Sequence, residues 1–308
     1  MKKLNIVFFG TPDFSVPSLD LLANHPAVNL KWIVSMPDRK AGRGYQVKSP
    51  EVIEYAKANK IPFFQTENIN KEEEFLAELK DIDVFIVLAF AQFLNDKVLS
   101  IPSIGPFNIH TSLLPKYRGA APIQYAVLNG DTSTGVSIQK MVKKMDAGDL
   151  VHNDPVAIHD EETGGLLYTR LKFQAALSLS DLLWKLSEGN LEYTQQDESH
   201  VSFAPTLKRE DGELKFAEKS FSEIHNQVRA LYPWPGTYCK LNGKRLKVFN
   251  IQKSSFKLAP GKVDISKGEL LVGCKDATIR LEGIQLEGKK RSSDRELING
   301  LKSDISLE

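Results

Sequence analysis

The sequence predicts an α/β protein, a Rossmann-like and mostly parallel sheet followed by a small OB-like β-barrel domain. Three observations carry that expectation. Short β-rich apolar runs alternate with helical patterns from Leu4 to Glu188, the alternation that builds a parallel sheet with helices on its faces. One run, Val84-Phe85-Ile86-Val87-Leu88, is apolar at every position, as suits a central strand covered on both sides. From Lys208 onward the pattern changes to short β segments separated by turn signals, as in small antiparallel barrels.

Taken in order, Leu4–Phe9 is a first strand, and Gly10-Thr11-Pro12-Asp13-Phe14 turns into a helix carrying Val16, Leu19, Leu21 and Leu22. This opening lacks the G-x-G-x-x-G spacing that lets a backbone approach a dinucleotide pyrophosphate, which disfavours a nicotinamide or flavin enzyme. Leu30–Ser35 reads as the second strand, Pro50–Asn59 as a helix, Ile61–Gln65 as a third strand and Lys71–Lys80 as another helix. Between the second strand and its helix, Met36–Lys48 is longer than such connections usually are. It holds four basic residues, two glycines bracketing Arg43, and Tyr45. Such a segment is either a mobile surface loop or one that reaches a nucleic acid, with cations for phosphate and a ring for stacking. Beyond the apolar approach Ile104–Phe107, Thr134–Lys140 and Asp149–Ile158 are two further strands, and Thr163–Glu188 is a long amphipathic helix. Gly189 and Asn190 stop that helix. Residues 191–207 are polar and aperiodic, so the expected organisation is a first domain at 1–190, a linker at 191–207 and a second domain at 208–308. In the last part a helix at Ser222–Ala230 precedes β segments at Gly236–Leu241, Leu246–Ile251, Gly261–Asp264, Glu269–Gly273 and Ala277–Gln285. Asn242-Gly243 between two of them is a hairpin signal.

The composition bounds what this architecture can do. With 308 residues, 42% of them hydrophobic, the chain can build two buried cores. No apolar run approaches the roughly 20 residues of a membrane span. Met1-Lys2-Lys3 leads directly into a strand rather than into a signal peptide's apolar region, so the expected location is the cytoplasm and no membrane partner is expected. Cys239 and Cys274, the only cysteines, lack metal-ligand spacing and are expected to be plain reduced thiols. The net charge of +1 conceals an asymmetry: residues 208–308 carry 20 Lys+Arg against 14 Asp+Glu, net +6, and the remainder 20 against 25, net −5. The basic part is either a solvated surface or the footprint of a polyanionic partner.

The chemistry-bearing stretch is Phe107–Pro122. Asn108 and His110 sit where a buried strand opens at its carboxyl end, the place where open α/β sheets bind ligands. Residues two apart on a strand project to one side, so an amide and an imidazole can address one reacting atom. Asp146, in Lys144-Met145-Asp146-Ala147-Gly148-Asp149, is the nearest candidate acid. An amide donor for a developing oxyanion, an imidazole that passes protons near neutral pH and a carboxylate that orients it suit transfer of a small acyl group to an amine. No Gly-x-Ser-x-Gly elbow argues for a covalent intermediate. Each residue also has a structural alternative: Asn-x-His at a strand end can be local hydrogen bonding, and Asp-Ala-Gly a turn. The other histidines, His25, His152, His159, His200 and His225, show no metal-ligand spacing, so no metal is expected.

The chain resembles the folate-dependent formyltransferases. The likeness rests on Phe8-Phe9-Gly10-Thr11-Pro12-Asp13-Phe14, Pro37-Asp38-Arg39-Lys40-Ala41-Gly42-Arg43-Gly44, Asn108-Ile109-His110 with Ser112–Gln124, and Met145–Asp149, and continues through Tyr232–Gly236 and Gly288–Arg291. The resemblance implies transfer of the formyl group of 10-formyltetrahydrofolate to the α-amino group of methionine esterified to initiator tRNA. It implies Asn108, His110 and Asp146 as the catalytic trio. Ser112, Leu113, Leu114 and Pro115 would bind folate, and the backbone at Leu88–Phe93, with Leu88 and Phe90, would line a pterin pocket. Arg39, Lys40 and Arg43 would enter the acceptor stem, with Arg43 critical, while Lys208 and the basic second domain would hold the acceptor arm, the enzyme acting as a monomer. One departure from the family pattern is Ala91, where a glycine is usual. Phe14 is one apolar wall that could read the methionine side chain. The competing expectations are formyl transfer to glycinamide ribonucleotide or to an amino-sugar nucleotide, formyltetrahydrofolate hydrolysis, and a non-catalytic RNA-binding protein on the same scaffold.

Overall fold

The computed structural model describes residues 3–41, 46–300 and 305–307. It divides into two compact units that are interleaved in sequence: Met1–Gly119, Thr134–Ala157 and Tyr168–Phe203 form the first, and Ala120–Ser133, Ile158–Leu167 and Ala204–Glu308 the second. Residues 191–203 of the expected linker therefore pack within the first unit.

Besides the two-residue strand Arg118–Gly119, the strands of the first unit are, in chain order, β1 (Leu4–Gly10), β2 (Val28–Ser35), the short pair β3 (Arg39–Ala41) and β4 (Gln46–Lys48), then β5 (Phe63–Gln65), β6 (Val84–Leu88), β7 (Gly105–His110), β8 (Ser133–Lys140) and β9 (Leu150–Ala157). Seven of them form one sheet in the order β9-β8-β7-β6-β1-β2-β5. Pairing is parallel from β5 through β2, β1 and β6 to β7, and β8 runs antiparallel to β7. The all-apolar β6 is central and buried at every residue, because helices cover both faces of a parallel sheet. The chain winds outward from β1 in one direction and from β6 in the other, so a crevice opens between their carboxyl ends, the topological switch point. Register brings Phe9, Val87, Asn108 and Gln139 into one row across β1, β6, β7 and β8. A strand-end motif on β7 is thereby delivered beside that crevice.

The helices are α1 (Val16–Asn24), α2 (Glu51–Asn59), α3 (Glu73–Glu78), α4 (Asp96–Leu99), α5 (Pro122–Leu128), α6 (Gly164–Glu188), α7 (Phe221–Ala230) and α8 (Asp294–Ile298). The helix expected over Lys71–Lys80 is broken: a 3-10 turn, Ile69–Lys71, precedes the short α3, because Glu72 leaves helical geometry at ψ 65°. The segment Met36–Lys48 is not an irregular loop throughout; β3 and β4 pair antiparallel, with Arg39 opposite Lys48. Its tip, including Arg43, lies outside the described residues.

The second unit carries α5 packed on α7 and a curled antiparallel sheet consistent with an OB-like domain. The sheet runs in the order Thr237–Leu241, Lys244–Ser254, Thr278–Leu286, Leu271–Gly273, Val263–Asp264, with Ser292–Ser293 also paired to Thr278–Leu286. Asn242 and Gly243 adopt φ of 48° and 75°, the two positive values of a tight hairpin turn. Irregular register between Val248 and Ile251 bends the longest strand, as a bulge does. Ile224 and Val228 of α7 pack with Cys239, Leu246, Val272, Ile279 and Leu281 into its core.

Close packing of strands leaves Gly135 on β8 no room for a side chain. A Cβ there would lie 2.1 Å from the Asp154 carbonyl oxygen and 2.6 Å from the Leu113 side chain. Backbone cannot step aside as a flexible side chain can, so Gly135→Ala is expected to destabilise the protein by about 1–3 kcal/mol, read as a lower urea midpoint. An unchanged midpoint would mean that β8 and β9 do not pack this closely.

Candidate active site

The end of β7 presents Asn108 and His110 on the same side of the sheet, and the Asp146 turn meets them there. The Asn108 Nδ2 amide donates to Asp146 Oδ1 at 3.5 Å, and His110 Nδ1 stands 3.8 Å from Asp146 Oδ2. His110 is buried, and its other ring nitrogen, Nε2, lies 2.9 Å from the Tyr117 carbonyl oxygen. A carbonyl only accepts, so Nε2 carries a proton, and Nδ1 is the ring nitrogen that faces Asp146. When the ring takes up a proton at Nδ1, the new N–H points at a carboxylate. This arrangement suits a group that accepts and returns protons.

Asp146 is held from several directions. Its Oδ2 accepts from the Gly119 N–H at 2.8 Å, and its Oδ1 from the Gln139 amide at 3.0 Å. Its backbone sits at φ 50°, a left-handed conformation that short polar side chains tolerate better than most. Gln139 in turn accepts from the Gly148 N–H at 2.9 Å. Gln196 donates to the carbonyl oxygens of Asp146 and Gly148 at 2.9 and 2.7 Å. Behind Gln196 lies Arg118, 2% exposed, whose Nε and Nη2 donate to Gln196 Oε1 at 3.1 and 2.7 Å, with Nη2 also reaching Glu198 at 2.8 Å. Lys144 donates to the other Glu198 oxygen at 2.8 Å. Sequence reasoning missed Gln139, Gln196 and Arg118 as supports of the site. The available signals were the alternation on β8, which puts Gln139 across from Asn108, and a polar run at Gln195–Ser199 too long for a simple connection.

The segment Ser112–Pro115 is fixed to β8 through one hydroxyl. Ser137 Oγ donates to the Ser112 carbonyl at 2.7 Å and accepts from the Leu114 N–H at 2.9 Å. Ser112 and Leu114 are buried, Leu113 and Pro115 half-buried, and the Leu114–Pro115 peptide is cis. At the end of β6, Leu88 is buried and its carbonyl accepts from Ser15 Oγ at 2.8 Å. The chain then bends at Ala89, φ 51°, while Ala91 is not among the positive-φ residues. The turn that glycine would ease thus falls two residues before Ala91. Phe90 is half-buried, edge-on to Phe9 at 5.4 Å. Gln92 ties the segment down, accepting from the Ile69 N–H at 2.7 Å and donating to the Thr66 carbonyl at 2.6 Å.

Phe14 is 3% exposed and edge-on to Tyr168 at 4.8 Å, so its ring is committed to packing. Beside it Asp13 accepts from Tyr168 Oη and Lys172 Nζ, both at 2.7 Å. Burial opposes ionisation of Asp13, but those two donors more than offset it and hold the carboxyl below its ordinary value. Burial and the Asp13 carboxylate push the Tyr168 hydroxyl well above its own. Arg39 and Lys208 are exposed; Lys208, in the second unit, donates its backbone N–H to Asp211 at 2.6 Å. Lys40 belongs to β3, and Arg43 lies outside the described residues.

Among the described residues, His152, Asp154 and Asp181 bring three metal-ligating atoms together. Their partners are protein groups: His152 Nε2 meets Asp154 at 2.8 Å, Ser178 Oγ and Gln174 donate to the same Asp154 oxygen, and Lys185 Nζ stands 3.4 Å from His152 Nδ1. The cluster is read as a tie between β9 and α6.

Residues 2–183 match the family described as formyl transferase, and residues 206–302 the one described as formyl transferase, C-terminal domain. The protein named methionyl-tRNA formyltransferase from Geobacter metallireducens is 36% identical over 310 residues, covering 100% of this chain and 99% of that protein. Its namesake from Natranaerobius thermophilus is 38% identical over 315 residues, 99% of this chain and 100% of its own. Among solved structures, the N-formyltransferase from Helicobacter canadensis, in complex with folinic acid and dTDP-3-aminofucose, aligns over 91% of this chain and 99% of its own with TM-score 0.68 and 20% identity. HypX from Aquifex aeolicus, in complex with tetrahydrofolic acid, aligns over 98% of this chain and 49% of its own with TM-score 0.62 and 15% identity. At such identities the structural likeness bears on the fold alone.

The Arg118–Glu198 contact has a pH signature. The hydrogen bond from Arg118 and then that from Lys144 lower the Glu198 carboxyl from its ordinary 4.5 to about 2. A depressed folded-state value contributes stability that is complete above the unfolded value and is lost as pH falls toward the folded one. Glu198→Gln is therefore expected to flatten the decline of stability between pH 4.5 and about 2, measured by urea titration at successive pH values. An identical acid profile in the variant would show that Arg118 does not hold this carboxylate.

Proposed function

Since this chain belongs to the formyl transferase family, we propose that it transfers the formyl group of 10-formyltetrahydrofolate to the α-amino group of methionyl initiator tRNA. The observation that carries this reading is the convergence of Asn108, His110 and Asp146 at the open end of β7, in a chain whose relatives at 36–38% identity along their whole length bear the name methionyl-tRNA formyltransferase. The bound ligands named for the solved neighbours, folinic acid and tetrahydrofolic acid, support a folate-type donor. The second reading, formyl transfer to an amino-sugar nucleotide, draws on the Helicobacter canadensis enzyme's ligand, but that likeness is at 20% identity.

In this reading the pterin lies along Leu88–Phe93, with Leu88 and Phe90 among its walls, and the rest of the folate follows Ser112, Leu113, Leu114 and Pro115. The free amine attacks the formyl carbon, forming the new C–N bond and a tetrahedral oxyanion. The Asn108 amide, bound to Asp146 only at 3.5 Å, turns its N–H to that oxygen. His110 takes the amine proton at Nδ1, and Asp146 stabilises the imidazolium. As the bond to folate N10 breaks, the proton passes to N10 and tetrahydrofolate leaves. An α-amino group, with an ordinary pKa of about 7.7–8.0, is already substantially neutral near pH 7.5, so the enzyme's task is alignment and charge stabilisation. Residues 1–190 would carry this chemistry, supported by Gln196 from the 191–207 segment. Residues 208–308, net +6, would hold the acceptor arm by phosphate contacts that include Lys208. Arg39 and Lys40 of β3, with Arg43 following them in the sequence, would enter the acceptor stem. No helix among the described residues is long and apolar enough to cross a membrane, and the proposed setting is the cytoplasm.

The deciding assay supplies 10-formyltetrahydrofolate with methionyl initiator tRNA, with glycinamide ribonucleotide, with an amino-sugar nucleotide, or with no acceptor. Formyl-methionyl-tRNA as the sole product is expected; turnover with another acceptor, or with water, would refute the assignment. His110→Ala and Asp146→Asn should each lower kcat by about 10²-fold or more while tRNA binding, followed by filter retention, persists. Arg43→Ala should narrow the preference for initiator over elongator methionyl-tRNA, and unchanged discrimination would remove that loop from substrate choice.

A further inference from the structure

Gln139 stands beside the catalytic trio without belonging to it. It lies on β8 directly across from Asn108 on β7 and is 2% exposed, so its amide must find partners inside the protein. Those partners fix which way the amide faces. Its Oε1 accepts from the Gly148 N–H at 2.9 Å, and the Gln196 amide is directed at the same oxygen from 3.5 Å. A backbone N–H only donates, so the oxygen and nitrogen of the Gln139 amide cannot trade places. Nε2 is left facing Asp146 Oδ1 at 3.0 Å. The approach of Gly148 is itself tightly built: a Cβ there would collide with the Lys140 carbonyl oxygen, and the Lys140 N–H donates to the Asp149 carbonyl at 2.9 Å.

Asp146 Oδ1 therefore has two amide donors of unequal hold, Gln139 at 3.0 Å with its other end tied down, and Asn108 at 3.5 Å. The longer contact is at the limit of a useful hydrogen bond, so Asn108 is the donor that can leave. When its N–H turns to the developing oxyanion, Oδ1 keeps Gln139 and Oδ2 keeps the Gly119 N–H at 2.8 Å. Each oxygen retains a donor, and the carboxylate stays where His110 needs it. Without Gln139 the same turn would leave Oδ1 with neither amide, and the cost of an unsatisfied carboxylate oxygen would hold Asn108 back.

We propose that Gln139 is a positioning residue for the reaction: it holds the Asp146 carboxylate by Oδ1 and thereby releases the Asn108 amide to the oxyanion. The inference rests on the formyl-transfer reading given above and adds to it a side chain that acts through Asp146 and Asn108.

A substitution at this position carries an acid–base signature. His110 faces Asp146 from β7 at 3.8 Å; Arg118 and Lys144 are bound to Glu198, Lys140 Nζ lies 5.4 Å from the centre of the Tyr193 ring, and Asp149 is exposed. Gln139→Glu would put a second carboxyl within hydrogen-bond reach of Asp146 Oδ1, and two carboxyl groups so close share one proton. With that proton between them the pair reproduces the wild-type hydrogen bond; once it is lost, the two charges push Asp146 out of place.

The test is kcat for formyl transfer from 10-formyltetrahydrofolate, followed between about pH 6 and about pH 9 in the wild type, Gln139→Met and Gln139→Glu. Gln139→Met, of similar length but without a donor, should lower kcat by about tenfold at every pH and leave the KM for the folate within about twofold. Gln139→Glu should keep its activity at the acid end and lose it as pH rises, so that the ratio of variant to wild-type kcat falls by about tenfold across the range. A side chain that merely packs would give a ratio indifferent to pH. Reactions with methionyl initiator tRNA and with no acceptor run side by side: a wild type that passes the formyl group only to water overturns the acceptor assigned above, while the variant-to-wild-type ratios still decide the role of Gln139. A wild-type kcat in Gln139→Met, or a Gln139→Glu ratio that does not change with pH, overturns the proposal.

Discussion

The Asp146 carboxylate is the point at which otherwise distant stretches of the first unit are made to agree. Its two oxygens are satisfied by the Gly119 N–H, the Gln139 amide and the Asn108 amide, which come from the short strand Arg118–Gly119, from β8 and from β7. Because it accepts from all three while its backbone is held at φ 50°, its position is set by hydrogen bonds rather than by the conformational preference of its own turn. The imidazole of His110 is oriented independently by the Tyr117 carbonyl, so the facing pair is built from two separately fixed halves. A proton-transfer site gains from this, since neither group must reorganise when charge appears between them.

How far this was legible in the sequence depended on the range of each interaction. β6 and β7 were readable because an all-apolar run and a strand-end motif are local patterns, and the strict period of two put Asn108 and His110 on one side before any contact was known. The hairpin at Asn242-Gly243 was readable because two residue types determine the turn. Gln139 and Gln196 were not readable as supports, because an amide serves equally well on a surface and their partners lie 7 to 50 residues away. The polar character of 191–207 suggested a linker, yet Gln196 is buried. Its polarity serves backbone carbonyls rather than solvent. The bend near Ala91, where the family pattern has a glycine, falls at Ala89, because the strand ends one residue earlier and the chain turns at once.

The molecule contains two kinds of polar cluster. Around Asp146 the polar groups face one another across a strand end, and one nitrogen, His110 Nδ1, stands 3.8 Å from the carboxylate, beyond hydrogen-bond distance. Around Asp154, donors from Ser178, Gln174 and His152 converge on one oxygen, and Asp13 is likewise filled by Tyr168 and Lys172. Clusters whose donors converge on one carboxylate fasten elements together; a facing imidazole and carboxylate not yet joined by a hydrogen bond are where chemistry can begin.

The interleaving of the two units bears on how the chain is made. α5 lies before most of the first unit's later segments, yet its packing partner α7 begins only at Phe221. A ribosome adding about 5–20 residues per second needs on the order of 5–20 s to travel from Leu128 to Phe221. Throughout that interval the apolar face of α5, with Ile123, Ala126 and Val127, has emerged without the surface that will cover it. The nascent chain therefore presents to chaperones a sticky helix in its middle, and removing the C-terminal part of the gene would leave that exposure permanent.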